Sequence, residues 1–488
     1  MTRNLQALEV TIAELLVEYQ LSHLSVRSFV DSSLDRIEHL DRRGPTLNAM
    51  INVASDAQER ATALDRELAC KGFLRPLHGV PIVVKDNINV AGLPTTGGCA
   101  ALRRNFPAAD ARVVARLKEA GAVILGKSSM SEFAWGMHDT ENSVIQGPTR
   151  NPYHCDYAAG GSSGGTGVAV AAGYCVAGLG TDTGCSVRAP SSVNCLVGLR
   201  PTHGLIDMGG VMPMNADWDT VGPMARTVTD LATVLDAITG APLNQECDLY
   251  TPQLTDESLS EKRVGVLRQL AEPYHSDAAV VELLDAAVSD LKSAGVRVID
   301  PVESNVFKLV FDSFDWYLRF RFDLDKFLAD MGVPAPARSL EEVLRTGMVL
   351  DRYVDKLKAS LMWPYRPEDH PRREQMRQIS DQYRNAFMAL MNQDSLDALI
   401  FPTFRYPPVL NGNLEAERAG NKAPVGSNNN FASLTGLPAL NVPMGFVEPG
   451  LPVGLQLLGR PYSEASLLQV GYGYEQFTQH RVPPRICQ

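Results

Sequence analysis

The sequence predicts an α/β fold in which one large domain carries a mixed, largely parallel central β-sheet flanked by helices. From residue 79 onward, short apolar runs alternate with stretches of helical periodicity, and this alternation is typical of β-α-β units. Strand-like runs occur near both ends of the 488 residues. Because no Ser/Gly-rich linker separates them, we expect a single domain over residues 1–488.

The first elements are predicted from periodicity and from apolar runs. Apolar residues recur every three or four positions over residues 5–19 and 26–40, which predicts two N-terminal helices. The run PIVVK at Pro81–Lys85 predicts a strand. Residues 111–120 then show helical periodicity, and AVIL at residues 122–125 predicts the next strand.

The same alternation returns in the second half of the chain. A helix is predicted over residues 278–294, with Ser276 as its N-cap and Gly295 at its end, and the strand VRVID follows it. Three later runs, LDALIF, ALNVPM and VGLQLL, are each bounded by proline or glycine. We expect these runs to be strands that extend the sheet.

One segment, residues 300–375, departs from this alternation because its pattern is strongly helical and rich in aromatic side chains. The clustered rings are those of Phe307, Phe311, Phe314, Trp316, Tyr317, Phe320, Phe322 and Phe327. Rings at helical spacing are more often packed core than a ligand site, so a helical core is one interpretation. A helical lid over an apolar pocket is the other.

Composition and charge exclude several classes of function. The 45 Lys and Arg residues against 56 Asp and Glu residues give a formal net charge of -11, and no basic run could follow a phosphate backbone, so no nucleic acid is expected as a partner. The N-terminal helix carries acidic residues inside its apolar stretch, unlike a signal peptide. The most apolar stretch, residues 167–180, is too short and too glycine-rich to span a bilayer, so no membrane partner is expected.

The 8 cysteines are scattered along the chain, without a C-x-x-C pair or a metal-ligand spacing to the 9 histidines. Reduced thiols in a cytoplasm are therefore expected, and no metal site is predicted. Cys185 is the one cysteine whose neighbours are unusual, because it lies in a glycine-rich turn.

That turn belongs to residues 160–202, where two glycine-containing turns flank a small-residue helix and an apolar strand, the second turn ending on Ser186. A nucleotide-binding loop is a weak interpretation, because the phosphate-loop spacings are missing. Ser163 fits the centre of a G-x-S-x-G nucleophile elbow, but the residues before it are polar and form no buried strand. A flexible loop would account for one of the turns but not for both.

Several long motifs resemble one known family. They are GVPIVVKDNINVAGLPTTGG, GGSSGGTGVAVAAG, GLGTDTGCSVRAPSSVNCLVGLRPT, LTGLPALNVPMG and GLPVGLQLLG. Through them the chain resembles the amidase signature family over nearly its whole length. The resemblance implies the amidase signature fold and a Ser-cisSer-Lys triad that needs no metal or organic cofactor. It assigns Lys85 as the base, Ser162 as a relay serine held in a cis peptide, and Ser186 as the nucleophile.

The chemistry of such a triad can be argued separately. A lysine is charged at neutral pH and acts as a base only when its pKa is lowered, which burial can do. Lys85 ends an apolar strand, so a desolvated position is expected, although a strand-end lysine is more usually a solvated surface charge. A neutral Lys85 can accept a proton from Ser162 while Ser162 accepts one from Ser186.

The oxyanion of the reaction needs hydrogen-bond donors, and the backbone N–H groups of Thr183, Gly184, Cys185 and Ser186 are the candidates. The family usually has Gly-Gly-Ser where this chain has Gly184-Cys185-Ser186, and a positive φ at Cys185 would strain the backbone. We expect this thiol to trim the acyl pocket rather than to attack the substrate.

Further polar residues complete the predicted site. Ser163, Asp182 and Arg188 resemble the family's supporting network, which would orient the two serines. No histidine is expected in the chemistry, and we interpret His78 and His154 as structural or rim residues.

Three functions are weighed on this basis. The leading hypothesis is a cytoplasmic hydrolase of a small amide, carbamate or ester that forms an acyl-serine intermediate, with a homodimer left open as its assembly. The second is the glutaminase subunit of a tRNA-dependent amidotransferase. The resemblance implies that such a subunit recognises glutamine with a carboxylate upstream of the L-x-G-L-P stretch, and residues 419–436 contain no acid. The third is a non-hydrolytic binding protein, against which the presence of all three triad residues counts.

We expect three parts within the single domain. They are the N-terminal helices within residues 1–70, the catalytic signature core within residues 79–240, and the aromatic-rich helical segment at residues 300–375, for which a substrate lid is one of the two interpretations.

Overall fold

The computed structural model describes residues 9–136, 145, 147–240, 249–272, 276–304, 319–331, 335–413 and 428–486. The strands are β1 (Met50–Val53), β2 (Pro81–Lys85), β3 (Val123–Ser128), β4 (Ala177–Asp182), β5 (Val197–Arg200), β6 (Thr220–Ala225), β7 (Arg263–Val266), β8 (Arg297–Ile299), β9 (Ala398–Pro402), β10 (Ala439–Val447) and β11 (Leu451–Leu458). The helices are α1 (Ile12–Gln20), α2 (Val26–Ile37), α3 (Ala57–Lys71), α4 (Arg112–Glu119), α5 (Gly164–Ala171), α6 (Arg188–Val193), α7 (Val228–Thr239), α8 (Ala278–Ser293), α9 (Phe320–Asp330), α10 (Leu340–Arg345), α11 (Asp351–Met362), α12 (Arg373–Gln393), α13 (Asn430–Thr435) and α14 (Glu464–Thr478). None of the helices in the described part of the chain is both long and apolar enough to cross a membrane.

The described strands form one sheet in the order β1-β3-β2-β4-β6-β5-β10-β11-β9-β7-β8. A single α/β domain with a mixed sheet flanked by helices is confirmed. The expected predominance of parallel strands is wrong, because parallel pairing is limited to β3-β2-β4 and to β9-β7-β8, while the middle of the sheet is antiparallel. The β-α-β rhythm indicates parallel pairs, but β10 and β11 form a hairpin joined by a short turn, which requires antiparallel pairing.

The strands near the site are buried on both faces. Each residue of β2 and of β4 is buried, as expected for strands covered by helices on both sides. Helix α5 is buried along its whole length and is built from small residues. A Cβ at Gly165 would come within 2.4 Å of the Ser129 nitrogen, so this close contact between helix and chain requires glycine.

Helix α8 shows how local chemistry sets an element boundary. It begins one residue after Asp277, whose carboxylate accepts a hydrogen bond from the Ala279 N–H at 2.9 Å. The predicted N-cap, Ser276, is therefore wrong by one residue, because aspartate is an equally good cap and lies closer to the helix. Gly295 follows the helix with a φ of 91°, a conformation that favours glycine, and the predicted end of the helix at Gly295 is confirmed.

The aromatic segment is described in part. Phe307, Phe311, Phe314, Trp316 and Tyr317 lie outside the described residues. Phe320 opens α9 and is fully buried against the rings of Phe133 and Trp135, with centroid distances of 5.4 and 4.8 Å. This part of the segment therefore packs against the chain that follows β3.

Among the described cysteines, Cys155 differs from expectation. Cys155 is disulfide-bonded, so the expectation of reduced thiols is wrong there. Cysteine spacing along the chain could not indicate this bond, because pairing depends on distances in the folded molecule. Cys185 is a buried thiol outside any disulfide.

Candidate active site

The candidate site lies where neighbouring strands of the sheet end. Strands β2 and β4 are parallel neighbours, and they end at Lys85 and Asp182. Because parallel strands bring their carboxyl ends to the same edge, the lysine and the glycine turn after β4 meet there. The parallel strand β3 ends at Ser128 on the same edge.

Lys85 is fully buried, not solvated at the strand end. Its Nζ donates a hydrogen bond to Ser162 Oγ at 2.7 Å and another to Thr181 Oγ1 at 2.9 Å. The Gly161–Ser162 peptide bond is cis. The structure therefore brings two of the three predicted triad residues into direct contact.

The two neighbouring serines at the start of α5 differ in their contacts. Ser162 is fully buried, and its carbonyl accepts a hydrogen bond from the Ser131 N–H at 3.3 Å. The Ser163 hydroxyl instead bonds to the backbone of Thr181 on β4, where the Thr181 N–H donates to its Oγ at 3.3 Å. Ser163 thus joins helix α5 to β4, as a supporting residue would.

Ser186 lies in the turn between β4 and α6 and retains 5% of its surface exposure. Helix α5 and strand β4 span the chain between the two serines, Ser162 and Ser186. This arrangement is not a G-x-S-x-G elbow, because Ser163 precedes a helix without following a strand. The contact between Ser162 and Ser186 stays a prediction.

The charged network beside this turn is buried. Asp182 accepts hydrogen bonds from Arg188 Nη2 at 2.9 Å, from Arg200 Nη1 at 3.0 Å and from the Val187 N–H at 3.1 Å. Burial by itself raises the pKa of Asp182, but the two guanidinium groups outweigh it and hold the pKa well below its ordinary value. Arg200 was not predicted, and its only sequence signal is its place at the end of β5.

The turn itself is held on both sides. The Thr183 hydroxyl donates to Asp219 Oδ1 at 2.5 Å, and the Gly184 carbonyl accepts from Ser433 Oγ and from Arg188 Nη2, both at 2.8 Å. Asp219 and Ser433 were missed by sequence reasoning because they lie far along the chain from the turn.

Cys185 adopts ordinary backbone geometry. It is absent from the non-glycine residues with positive φ, so a cysteine at this position is not strained. Its Sγ donates to the Gly161 carbonyl at 3.8 Å, and it packs with Ala189, Val193 and Phe404. The thiol therefore lies between the turn and the peptide that precedes Ser162.

The two histidines face other partners. His78 is fully buried, its Nε2 lies 3.1 Å from the Leu64 carbonyl, and burial lowers its pKa. His154 packs edge-on against Tyr157 with a centroid distance of 4.8 Å. These contacts are those of structural residues.

Comparison with known proteins assigns a class to this fold and site. A mixed sheet flanked by helices matches the solved structures of amidase enzymes. The family model described as Amidase matches residues 28–468, and the chain belongs to this family.

Three relatives illustrate the match. The chain is 31% identical to the glutamyl-tRNA(Gln) amidotransferase subunit of Synechococcus sp. (strain CC9605), over 96% of this chain and 97% of that protein. It resembles the crystal structure of PAM12A with a TM-score of 0.89 and 33% identity, covering 99% of this chain and 100% of the other. It resembles native peptide amidase from Stenotrophomonas maltophilia with a TM-score of 0.86 and 32% identity, again over 99% and 100% of the two chains. The protein is thus an amidase-family enzyme.

Proposed function

We propose that the protein hydrolyses an amide, or a chemically similar carbamate or ester, through an acyl intermediate on Ser186. The observation that carries this proposal is the hydrogen bond from the fully buried Lys85 to Ser162 Oγ at 2.7 Å. A buried lysine bonded to a serine hydroxyl has the surroundings that a general base requires.

The proposed reaction proceeds in two halves. Ser186 Oγ attacks the substrate carbonyl while its proton passes to Ser162, and the proton of Ser162 passes to a neutral Lys85. The same path returns a proton to the departing amine, which breaks the C–N bond and leaves an ester on Ser186. Water then attacks that ester by the same relay and releases the acid.

The negative charge that develops on the carbonyl oxygen needs donors fixed in advance. Backbone N–H groups of Thr183, Gly184, Cys185 and Ser186 are proposed to supply them. Support comes from the way the turn is anchored, since Asp219 binds the Thr183 hydroxyl and Asp182 binds the Val187 N–H.

We further propose an apolar or aryl substrate covered by the aromatic segment. The Ser131 N–H bonds to Ser162, and the adjacent Glu132 accepts a hydrogen bond from the Leu350 N–H at 2.8 Å. Phe320 packs against Phe133 and Trp135 of the same short stretch. The segment is therefore attached to the residues that directly follow Ser131, the residue bonded to the relay serine, and this supports a lid at that place.

A second candidate is the glutaminase subunit of a tRNA-dependent amidotransferase, which would require partner subunits. The specific observation in its favour is the 31% identity with such a subunit over 96% of this chain. Against it stands the lack of an acidic residue between positions 419 and 436. Residues 419–427 of that stretch lie outside the described part of the structure.

We also propose a cytoplasmic location and a homodimeric assembly, both of which rest on the sequence alone. The disulfide at Cys155 counts against a cytoplasmic location, because the cytosol keeps most thiols reduced. Titration of thiols in unfolded protein prepared without reductant decides between a disulfide at Cys155 and fully reduced thiols. Two fewer thiols than the 8 cysteines indicate the disulfide, whereas a full count supports reduced thiols.

The function is tested by an activity panel of anilides, aliphatic amides, carbamates, esters and glutamine. We expect turnover of an anilide or carbamate and its loss in Ser186→Ala. Ser191→Ala is a matched control, since this serine is also buried and, among the described contacts, its hydroxyl donates to the carbonyl of Val187, the residue before α6, at 2.8 Å. Turnover of glutamine alone would support the second candidate, and full activity of Ser186→Ala would exclude the proposed chemistry.

A further inference from the structure

Asp219 is a buried carboxylate that faces the proposed oxyanion turn. It lies just before β6 and is 5% exposed. Its Oδ1 accepts the hydroxyl of Thr183 at 2.5 Å, while its Oδ2 accepts the N–H groups of Met214 and Asn215 at 2.8 and 3.0 Å. One oxygen therefore holds the turn and the other holds the loop that precedes β6.

Arg200 fixes the two sides of this contact. Its Nη1 donates to the Asp182 carbonyl at 2.5 Å, and its Nη2 donates to the Trp218 carbonyl at 2.7 Å. These carbonyls belong to the residues immediately before Thr183 and Asp219. The guanidinium thus bridges the backbone at the end of β4 and the backbone just before Asp219. Because both segments are held by the same group, Thr183 and Asp219 are kept within hydrogen-bond distance.

The loop before β6 is also anchored from helix α9. Asp323 accepts the Ala216 N–H at 3.2 Å, and Arg319 donates to Asp217 at 2.6 Å. The loop that carries Asp219 is consequently held between the catalytic turn and the N-terminal end of α9.

We propose that Asp219 is a positioning residue, whose carboxylate holds the Thr183 side chain and thereby orients the Thr183 and Gly184 N–H groups toward the developing oxyanion. This inference rests on the proposed function. Donors act on a transition state only when they are fixed in advance, and removing one oxyanion donor costs about 10²- to 10³-fold in kcat. Losing the residue that orients donors, with the donors still present, should cost less, about 10- to 100-fold.

The titration of Asp219 supplies a second signature. Burial raises its pKa to about 6. The charged groups that face it are Arg200, which is paired with Asp182, and Asp323 of α9, which is paired with Arg319. As the pH falls through about 6, the carboxylate takes up a proton and becomes a weaker acceptor for the Thr183 hydroxyl, so kcat should fall.

The first test compares Asp219→Asn, Thr183→Val and Thr183→Ser with wild type on p-nitroacetanilide. We expect kcat to fall about 10- to 100-fold in Asp219→Asn and Thr183→Val with little change in KM, and to be largely restored in Thr183→Ser, which keeps the hydroxyl. The double variant Asp219→Asn with Thr183→Val should be no worse than either single one, because both remove the same hydrogen bond. The ratio of wild-type kcat to Asp219→Asn kcat should shrink as the pH falls through about 6, and taking this ratio cancels any pH dependence that the two enzymes share.

Asp230→Asn is the matched control. Asp230 lies on α7, away from the turn, and it is also buried. Burial also raises its pKa to about 6, and its carboxylate accepts a hydrogen bond from the Ile12 N–H at 2.8 Å. This variant should leave kcat and its pH profile unchanged.

A second readout needs no substrate. The rate at which a fluorophosphonate labels Ser186 also depends on an oriented oxyanion turn, so it should fall in Asp219→Asn and recover in Thr183→Ser relative to Thr183→Val. Unchanged kcat and labelling in Asp219→Asn, or the same pH effect in Asp230→Asn, would overturn the role of Asp219. Failure of wild type to be labelled at Ser186 would instead count against the proposed function.

Discussion

Replacing Asp182 with asparagine tests how much the buried charge network stabilises the catalytic turn. Asp182, Arg188 and Arg200 have no side-chain exposure. Removing one partner from a buried ion pair leaves an uncompensated charge and costs about 3 to 5 kcal/mol. Arg188 keeps bonds to the Gly184 and Asn429 carbonyls, and Arg200 keeps bonds to the Asp182 and Trp218 carbonyls, so the loss should lie at the lower end of this range. We therefore expect Asp182→Asn to lower the free energy of unfolding by about 3 kcal/mol, measured by urea denaturation at pH 7.

The pH dependence of this effect has a definite sign. The pKa of Asp182 is lowered in the folded protein, so its contribution is present above the pKa of the unfolded state and is lost as the pH falls through the folded-state pKa. The difference between wild type and Asp182→Asn should thus persist from pH 7 down to about pH 4. Glu374→Gln is the control, because this carboxylate pairs with Arg377 on the exposed surface and should change stability little. A loss at Asp182 no larger than that of Glu374→Gln would refute the reasoning.

Three further predictions concern single residues. Cys185→Gly should change discrimination between small and bulky acyl groups by roughly 10- to 200-fold with a smaller effect on kcat, measured as kcat/KM for both substrates, and a uniform collapse would show that the thiol takes part in catalysis. His78→Ala and His154→Ala should keep most of their activity once corrected for folded protein, and a loss as severe as that of Ser186→Ala would contradict their structural role. Burial raises the pKa of Glu132 to about 7, so the folded state loses stability as the pH rises toward that value. Glu132→Gln should therefore be about 2 to 3 kcal/mol more stable relative to wild type at pH 9 than at pH 5 in urea unfolding, and an equal difference at both pH values would contradict this.

Local patterns predicted the elements that carry the site. The run ending at Lys85 is a buried strand, and the glycine-rich loop after residue 160 leads into a buried helix, because apolar runs and glycine requirements are properties of a few adjacent residues. The antiparallel middle of the sheet was missed, since strand pairing depends on partners distant in sequence, such as β5 with β10.

The partners of the catalytic turn were missed for the same reason. Asp219 lies 36 residues from Thr183, and Ser433 lies 249 residues from Gly184. Nothing in the sequence around these residues indicates which group they will contact. Their roles follow from distances in the folded molecule.

The most direct test of the proposed chemistry is to identify the acylated residue. Reaction with p-nitrophenyl acetate, followed by acid quenching and mass spectrometry of proteolytic peptides, should place an acetyl group on Ser186. The label should be absent in Ser186→Ala and should form much more slowly in Lys85→Met, which removes the proposed base. An acetyl group on Ser162, Ser163 or Cys185 in place of Ser186, or equally fast acylation in Lys85→Met, would contradict the proposed mechanism.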